Sequence, residues 1–127
     1  MIHIQTTTKN IDTIVQDLTA AVEEHKYGLL HAYDLQDTMR NKGVDFPHAC
    51  RVLEVCNPHY AAKVLGENIR VNLALPCRIG VWEEDGQTKV GTLLPTQLME
   101  IFGNSPVMRE TSAQVEADLV AIIAAAI

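Results

Sequence analysis

Apolar residues recur along this chain in two rhythms, every second position or every third and fourth, and the switches between them mark out its elements. Ile2 and Ile4 alternate with polar neighbours and lead into Thr6, Thr7 and Thr8, so the chain opens as a half-buried strand. After Asn10, a natural N-cap, the rhythm lengthens. Ile11, Ile14, Val15, Leu18 and Val22 line one stripe of a helix reaching about Lys26, with Glu23, Glu24 and Lys26 on its wet side. Gly28 is expected to stop that helix and admit a strand in which Leu29, His31 and Tyr33 share a face. Asp34, spaced before Asp37 as in a capping box, starts a second short helix that Gly43 ends.

The run from Cys50 to Cys56 is apolar on both parities, Leu53 and Val55 on one side, Val52 and Cys56 on the other, and Glu54 is the exception within it. A strand apolar on both faces is usually covered on both. Asn57 then caps a helix whose first turn takes Pro58, since proline's missing amide costs nothing there; Ala61, Val64 and Leu65 point inward. Ile69, Val71, Leu73 and Leu75 alternate as a strand, and beyond Pro76 the residues Cys77, Ile79 and Val81 keep that parity. Asp85-Gly86 predicts a hairpin between Ile79–Glu84 and Gln87–Leu93. Pro95 opens a short helix with Leu98, Met99 and Phe102, closed by Gly103. Asn104-Ser105-Pro106 reads as a loop, and Thr111 with Gln114 as the capping box of a last helix buried through Val115, Leu119, Ile122, Ile123 and Ala126.

This order predicts one α+β domain over residues 1–127, two layers deep: an antiparallel-rich mixed sheet with helices packed mainly on one face. The uncovered face must be polar or shared. Because the central strand is apolar on both sides, a second subunit is expected to cover part of it through a two-fold interface.

Composition removes several function classes. A chain of 127 residues buries a real core without staples, so three cysteines, an odd number, suit free thiols in a reducing compartment and a cytoplasmic location. The net charge of −6 is mixed along the chain, leaving no basic face for nucleic acid. The N-terminus has neither the basic start nor the apolar run of a signal peptide, and the greasy stretch Ala117 to Ile127 is too short to span a bilayer and is interrupted by Asp118. No membrane partner is expected.

Four motifs carry a family resemblance: Tyr27-Gly28-Leu29-Leu30-His31, Leu53-Glu54-Val55-Cys56-Asn57-Pro58, Ala62-Lys63-Val64-Leu65, and Leu75-Pro76-Cys77-Arg78-Ile79 followed by Val81. Through them most of the chain resembles DUF302, a family of small bacterial and archaeal proteins of unknown function. The resemblance implies a compact α+β fold, an antiparallel-rich sheet carrying helices, and a homodimer, but no established activity. Some relatives look close to sulfur-handling or redox functions, which leaves room for a thiol role. Many relatives carry an N-terminal export or membrane segment that is not seen here.

Candidate chemistry gathers at the two cysteine motifs. Cys56 lies where a strand gives way to a helix, so the helix's positive end and open amides favour its thiolate; the plain alternative is a small buried hydrophobe. Cys77 precedes Arg78, whose guanidinium would lower the thiol pKa or hold an anion, unless Cys77 simply joins Leu75, Ile79 and Val81 in the core. If the two sulfurs meet they form a redox pair or pass sulfur on, although no Cys-x-x-Cys spacing supports this. His48, Cys50, Cys56 and His59 match no paired zinc spacing, so neither metal nor cofactor is expected. His31 reads as a satisfied, half-buried histidine. Glu54 and Arg78 sit inside apolar strands and should find each other, either as an ion pair fixing register or interface, or as a pocket wall where Arg78 faces an anion near the Asn57-Pro58 helix start.

No glycine-rich phosphate loop is present, and Ser105 and Ser112, read as a loop and a cap residue, offer no hydrolase nucleophile. The reading is a homodimer whose cleft, built from Cys56, Asn57, Cys77, Arg78, Glu54 and His31, binds a small anionic or thiol-reactive ligand. A thiol-dependent redox or sulfur-handling enzyme or carrier using Cys56 or Cys77 is the alternative, and a structural or interaction module the third.

Overall fold

Alternation becomes five strands in the computed structural model, which describes residues 1–127: β1 (Ile2–Thr7), β2 (Gly28–Asp34), β3 (Cys50–Cys56), β4 (Cys77–Glu84) and β5 (Gln87–Leu93). They form one sheet in the order β1-β5-β4-β3-β2, with every neighbouring pair antiparallel. The fold is α+β as expected, and the sheet is antiparallel throughout rather than mixed. Asp85 and Gly86 turn the β4–β5 hairpin with φ of 53° and 74°, the double left-handed geometry that this dipeptide suits.

Helix α1 (Ile11–Glu24) crosses the sheet from one edge strand to the other, and α5 (Pro106–Ala126) packs beside it on the same face. Their stripes press on alternate strand residues. Ile14, Leu18 and Val22 from α1 and Leu119, Ile122 and Ile123 from α5 meet Leu53, Val55, Ile79, Val81 and Val90, and every one of these is at 0% exposure. Each such side chain contributes about 1.5–3 kcal/mol of transfer free energy. Tyr27 extends this core and donates its hydroxyl to Asp118 at 2.8 Å, so the carboxylate interrupting the last helix is partnered. No helix is long and apolar enough to cross a membrane.

Four boundaries differ from the sequence reading. Lys26, not Gly28, takes the left-handed turn after α1 (φ 67°), and Gly28 is already strand. β2 carries a bulge: Leu29 pairs with Val55 while His31 pairs with Glu54, so Leu30 is extra, and Leu29 faces the helices whereas His31 and Tyr33 face away. Ile69–Ala74 is a 3-10 helix, not a strand. Asn68 accepts from Arg70 N–H, Asn72 donates to the Ile69 carbonyl at 2.6 Å, and Val71 alone is fully buried while Ile69 and Leu73 are 70% and 79% exposed. Local side-chain bonds of this kind compete with a ladder. Finally, α5 begins at Pro106 under an Ser105 cap, whose hydroxyl accepts from Met108 N–H at 3.1 Å, so Thr111 and Ser112 lie inside the helix and are buried.

The remaining short elements match expectation. Asp34 caps α2 (Leu35–Asn41), and Gly43 follows at φ 78°. α3 (Pro58–Glu67) follows Asn57, while α4 (Pro95–Leu98) runs into a 3-10 turn, Met99–Phe102, that Gly103 ends.

The sheet's second face is bare. Ile2, Ile4 and Leu93 lie there, 64%, 47% and 48% exposed, so β1 is less buried than its alternation implies. The Trp82 ring lies over Gly80 and Gly91. A Cβ on Gly91 would stand 3.0 Å from the indole and 3.0 Å from the His3 carbonyl, so only glycine lets the ring lie there.

Candidate functional site

Strand parity divides the six candidate residues between the two faces. In the β3–β4 ladder Val55 pairs with Cys77 and Glu54 with Arg78, so successive pairs point to opposite sides. Cys77 turns under the helices, and Arg78 turns to the bare face. Cys56 has the parity of Glu54 rather than of Cys77, and as the last residue of β3 it borders, with Asn57, the rim of the cavity that Cys77 faces, whereas Glu54, Arg78 and His31 cluster on the other side.

The corner at Cys56-Asn57-Pro58 is built from a single amide side chain. Asn57 Oδ1 accepts from the backbone N–H of His59 at 3.0 Å and of Tyr60 at 3.3 Å, capping α3. Its Nδ2 donates to the Lys26 carbonyl at 3.2 Å, tying the left-handed turn after α1 to the start of α3. Asn57 therefore shapes the cavity rim, and both ends of its amide are already engaged.

The cavity itself measures about 40 Å³ and lies where β3 and β4 meet α3, α4 and α5. A water needs roughly 10–15 Å³ on this measure, so the space suits an ion or a molecule of a few atoms. Cys56, Cys77, Tyr60, Val64, Met99 and Ser112 are among its walls. Ser112 is 3% exposed, and its hydroxyl has no hydrogen-bond partner. An unpaired buried hydroxyl costs about 1–3 kcal/mol.

Burial governs both thiols. The Cys77 thiol is pushed up to about 11, chiefly by burial and further by negative charge on Cys56, with Arg78 pulling weakly the other way. The Cys56 thiol is also pushed up by burial. The helix start was expected to ease ionisation of Cys56, and the guanidinium that of Cys77; desolvation outweighs both. Cys50 stands at the opposite end of β3, with Trp82 as its cross-strand partner, and its thiol is raised by burial and by Asp34. All three cysteines are free, and no group of three or more His, Cys, Asp or Glu side chains is gathered to hold a metal ion.

On the bare face Glu54 is the hub. Tyr33 donates its hydroxyl to Glu54 Oε1 at 2.7 Å, and Arg78 Nη2 lies 3.3 Å from Oε2. The Glu54 side chain is 11% exposed and that of Arg78 58%, so a nearly buried carboxylate is answered by a cation open to solvent. His31 sits across from Glu54 and packs its ring edge-on to Tyr33, with centroids 4.3 Å apart. The hydrogen bond to Glu54 raises the Tyr33 phenol, with desolvation and the carboxylate charge adding to it.

Of the cavity's walls the sequence points only to Cys56, Asn57 and Cys77, and two of the residues it misses are instructive. Ser112 was placed near a cap because the last helix was started too late; extending the Val115-Leu119-Ile122 stripe back one turn reaches it. Met99 was read only as an apolar helix residue, and nothing in its spacing links it to the cysteines.

A two-layer α+β protein, with a small, mostly apolar cavity under its helices and a paired Glu–Arg cluster on its bare face, is the class these features define. The chain belongs to the DUF302 family, described as a domain of unknown function, whose model matches residues 2–126. It is similar to a crystal structure of an uncharacterized conserved DUF302 protein from Bacillus stearothermophilus, with a TM-score of 0.92 and 31% identity over 99% of this chain and 98% of that one. No curated protein matches it.

Proposed function

We propose that this chain is a small-ligand binding protein that works as a two-fold dimer, taking a thiol-reactive or thiol-seeking ligand into the cavity between Cys56 and Cys77. The observation that carries this reading is the Ser112 hydroxyl, buried and unpaired in a cavity whose lining residues include Cys56 and Cys77. A ligand or its bound water would satisfy it. An anionic ligand fits this cavity poorly, because Arg78 stands on the other face and is engaged by Glu54. Two thiols held protonated by burial favour retention of a ligand over nucleophilic attack.

The dimer half of the reading rests on the bare face. Ile2, Ile4 and Leu93 form its apolar ground, and its most buried charge, Glu54, is already neutralised by Arg78. Two copies of a chain with net charge −6 would meet there without opposing unpaired carboxylates.

Native and denatured mass spectra of one fresh preparation test both halves. The expected result is a dimer carrying extra mass that vanishes on denaturation. Cys77→Ser should lose that mass and remain dimeric, while Ile4→Lys should be monomeric and keep it. Extra mass that survives denaturation and yields to reductant would instead establish the thiol carrier. A bare dimer, whose thiols react alike with and without candidate ligands, would leave an interaction module.

A further inference from the structure

Large apolar side chains line a groove where β4 begins and β5 ends, and a single charge stands among them. The groove measures about 410 Å³, within the roughly 300–1,000 Å³ of small-molecule sites, and opens between the two 3-10 segments, α4 and the sheet. Asn68 Nδ2 donates to the Phe102 carbonyl at 2.9 Å, which ties Ile69–Ala74 to Met99–Phe102 and holds the outer wall together. Leu73 and Ile101 stand in that wall, 79% and 75% exposed, and Leu93, Leu98 and Phe102 continue the apolar lining. Lone exposed apolar residues are ordinary, but these converge on one concavity.

The charge is Arg78. No aspartate, glutamate, lysine or histidine joins it in the wall. Glu54, whose other oxygen is taken by Tyr33, meets Nη2 at 3.3 Å, while Nε and Nη1 have no protein acceptor. Glu54 thus fixes the guanidinium and leaves most of its donors open. The neighbouring Thr92 hydroxyl is already donated to the Arg78 carbonyl at 2.8 Å, so it does not compete for an anion.

We propose that this groove binds an amphiphilic monoanion, an unbranched alkyl carboxylate, with its head on Arg78 and its tail along Leu73, Leu93 and Ile101. The site is separate from the cavity under the helices, with Cys77 and Met99 in the wall common to both. A planar guanidinium takes a carboxylate through two parallel hydrogen bonds. One guanidinium, shared with Glu54, suits a head with one negative charge, and a phosphate dianion would find no second cation in the wall. The apolar lining selects the tail, since each methylene taken from water into it tightens binding about threefold to fourfold.

The test is a calorimetric titration of the whole chain with octanoate and decanoate below their micelle-forming concentrations, with decanol as the uncharged control and circular dichroism confirming that every variant is folded. One decanoate per chain should bind, about 10-fold tighter than octanoate. Decanol should bind at least about 10-fold more weakly than decanoate, and Arg78→Gln should bring decanoate down to that level while leaving decanol unchanged. Ile101→Ser, at an exposed position, should weaken decanoate by about 5-fold. Leu30→Ser, also exposed but on the far edge strand β2, should leave it unchanged, as should Ile4→Lys, which lies outside the groove. If Arg78→Gln does not fold, the decanol comparison and Ile101→Ser decide. No binding by the folded parent, equal affinity for decanoate and decanol, or a folded Arg78→Gln chain that keeps its decanoate overturns the proposal. Binding by Ile4→Lys but not by the parent would also overturn it, and would make the groove an interface between copies.

Discussion

The two faces of the sheet are built from alternate residues of the same strands, yet they obey different physics. On the covered face Leu53, Val55, Ile79, Val81 and Val90 are sealed at 0% exposure, and Cys77, one pair further along the ladder, has its thiol lifted to about 11. On the bare face Glu54 is met by Tyr33 and Arg78 from the two neighbouring strands, and Arg78 remains wet. Burial without partners disfavours a charged form, and a polar group taken out of water has to find partners. A one-residue step thus separates a small apolar cavity from an ion pair whose cation faces solvent.

The sharpest way to break this contrast is to remove equivalent apolar groups from both faces. Leu53→Ala should lower stability to urea by about 3–4 kcal/mol, since the site cannot collapse beneath two helices. Ile4→Ala, 47% exposed, should cost the dilute monomer no more than about 0.5 kcal/mol. Similar losses in dilute protein would mean that the bare face is covered within one chain.

The next effect is electrostatic. The Cys77 thiol ordinarily ionises near 9 and here is raised to about 11, so above pH 9 the unfolded chain loses a proton that the folded chain keeps. Its contribution is fully present below pH 9 and is lost as pH rises toward 11, on the order of 2–3 kcal/mol in all. Urea midpoints across that range should fall more steeply for the parent than for Cys77→Ser. Parallel slopes would mean that the thiol is not desolvated.

Tyr33→Phe should give only a slight fall in urea midpoint, well below that of Leu53→Ala, because Glu54 keeps Arg78 when the phenolic hydrogen bond goes. Alkylation rates at Cys56 and Cys77 should not change. A changed rate would couple the two faces.

Much of this was legible without coordinates. The α1 and α5 stripes, the Asn57 and Asp34 caps, the Asp85-Gly86 hairpin and the Glu54–Arg78 pairing all follow from local spacing or from a charge too costly to bury alone. The bulge at Leu30 did not show, because alternation predicts a regular strand and an inserted residue is visible only against its partner strand. The 3-10 helix at Ile69–Ala74 was hidden because its residues alternate as a strand's would.

What the amino-acid order determined by itself is most of the elements, the Asn10, Asp34 and Asn57 caps, the hairpin turn and the buried stripes of α1 and α5, because these depend on neighbours within about one helical turn. What only the tertiary structure decided is company. The register of β3 against β4 sends Cys77 under the helices and Arg78 to the bare face, and the packing of α5 and of the Met99–Phe102 turn brings Ser112 and Met99 to the wall of the cavity that Cys77 borders. Register and helix packing join residues distant in sequence, and no local pattern records which of them will meet.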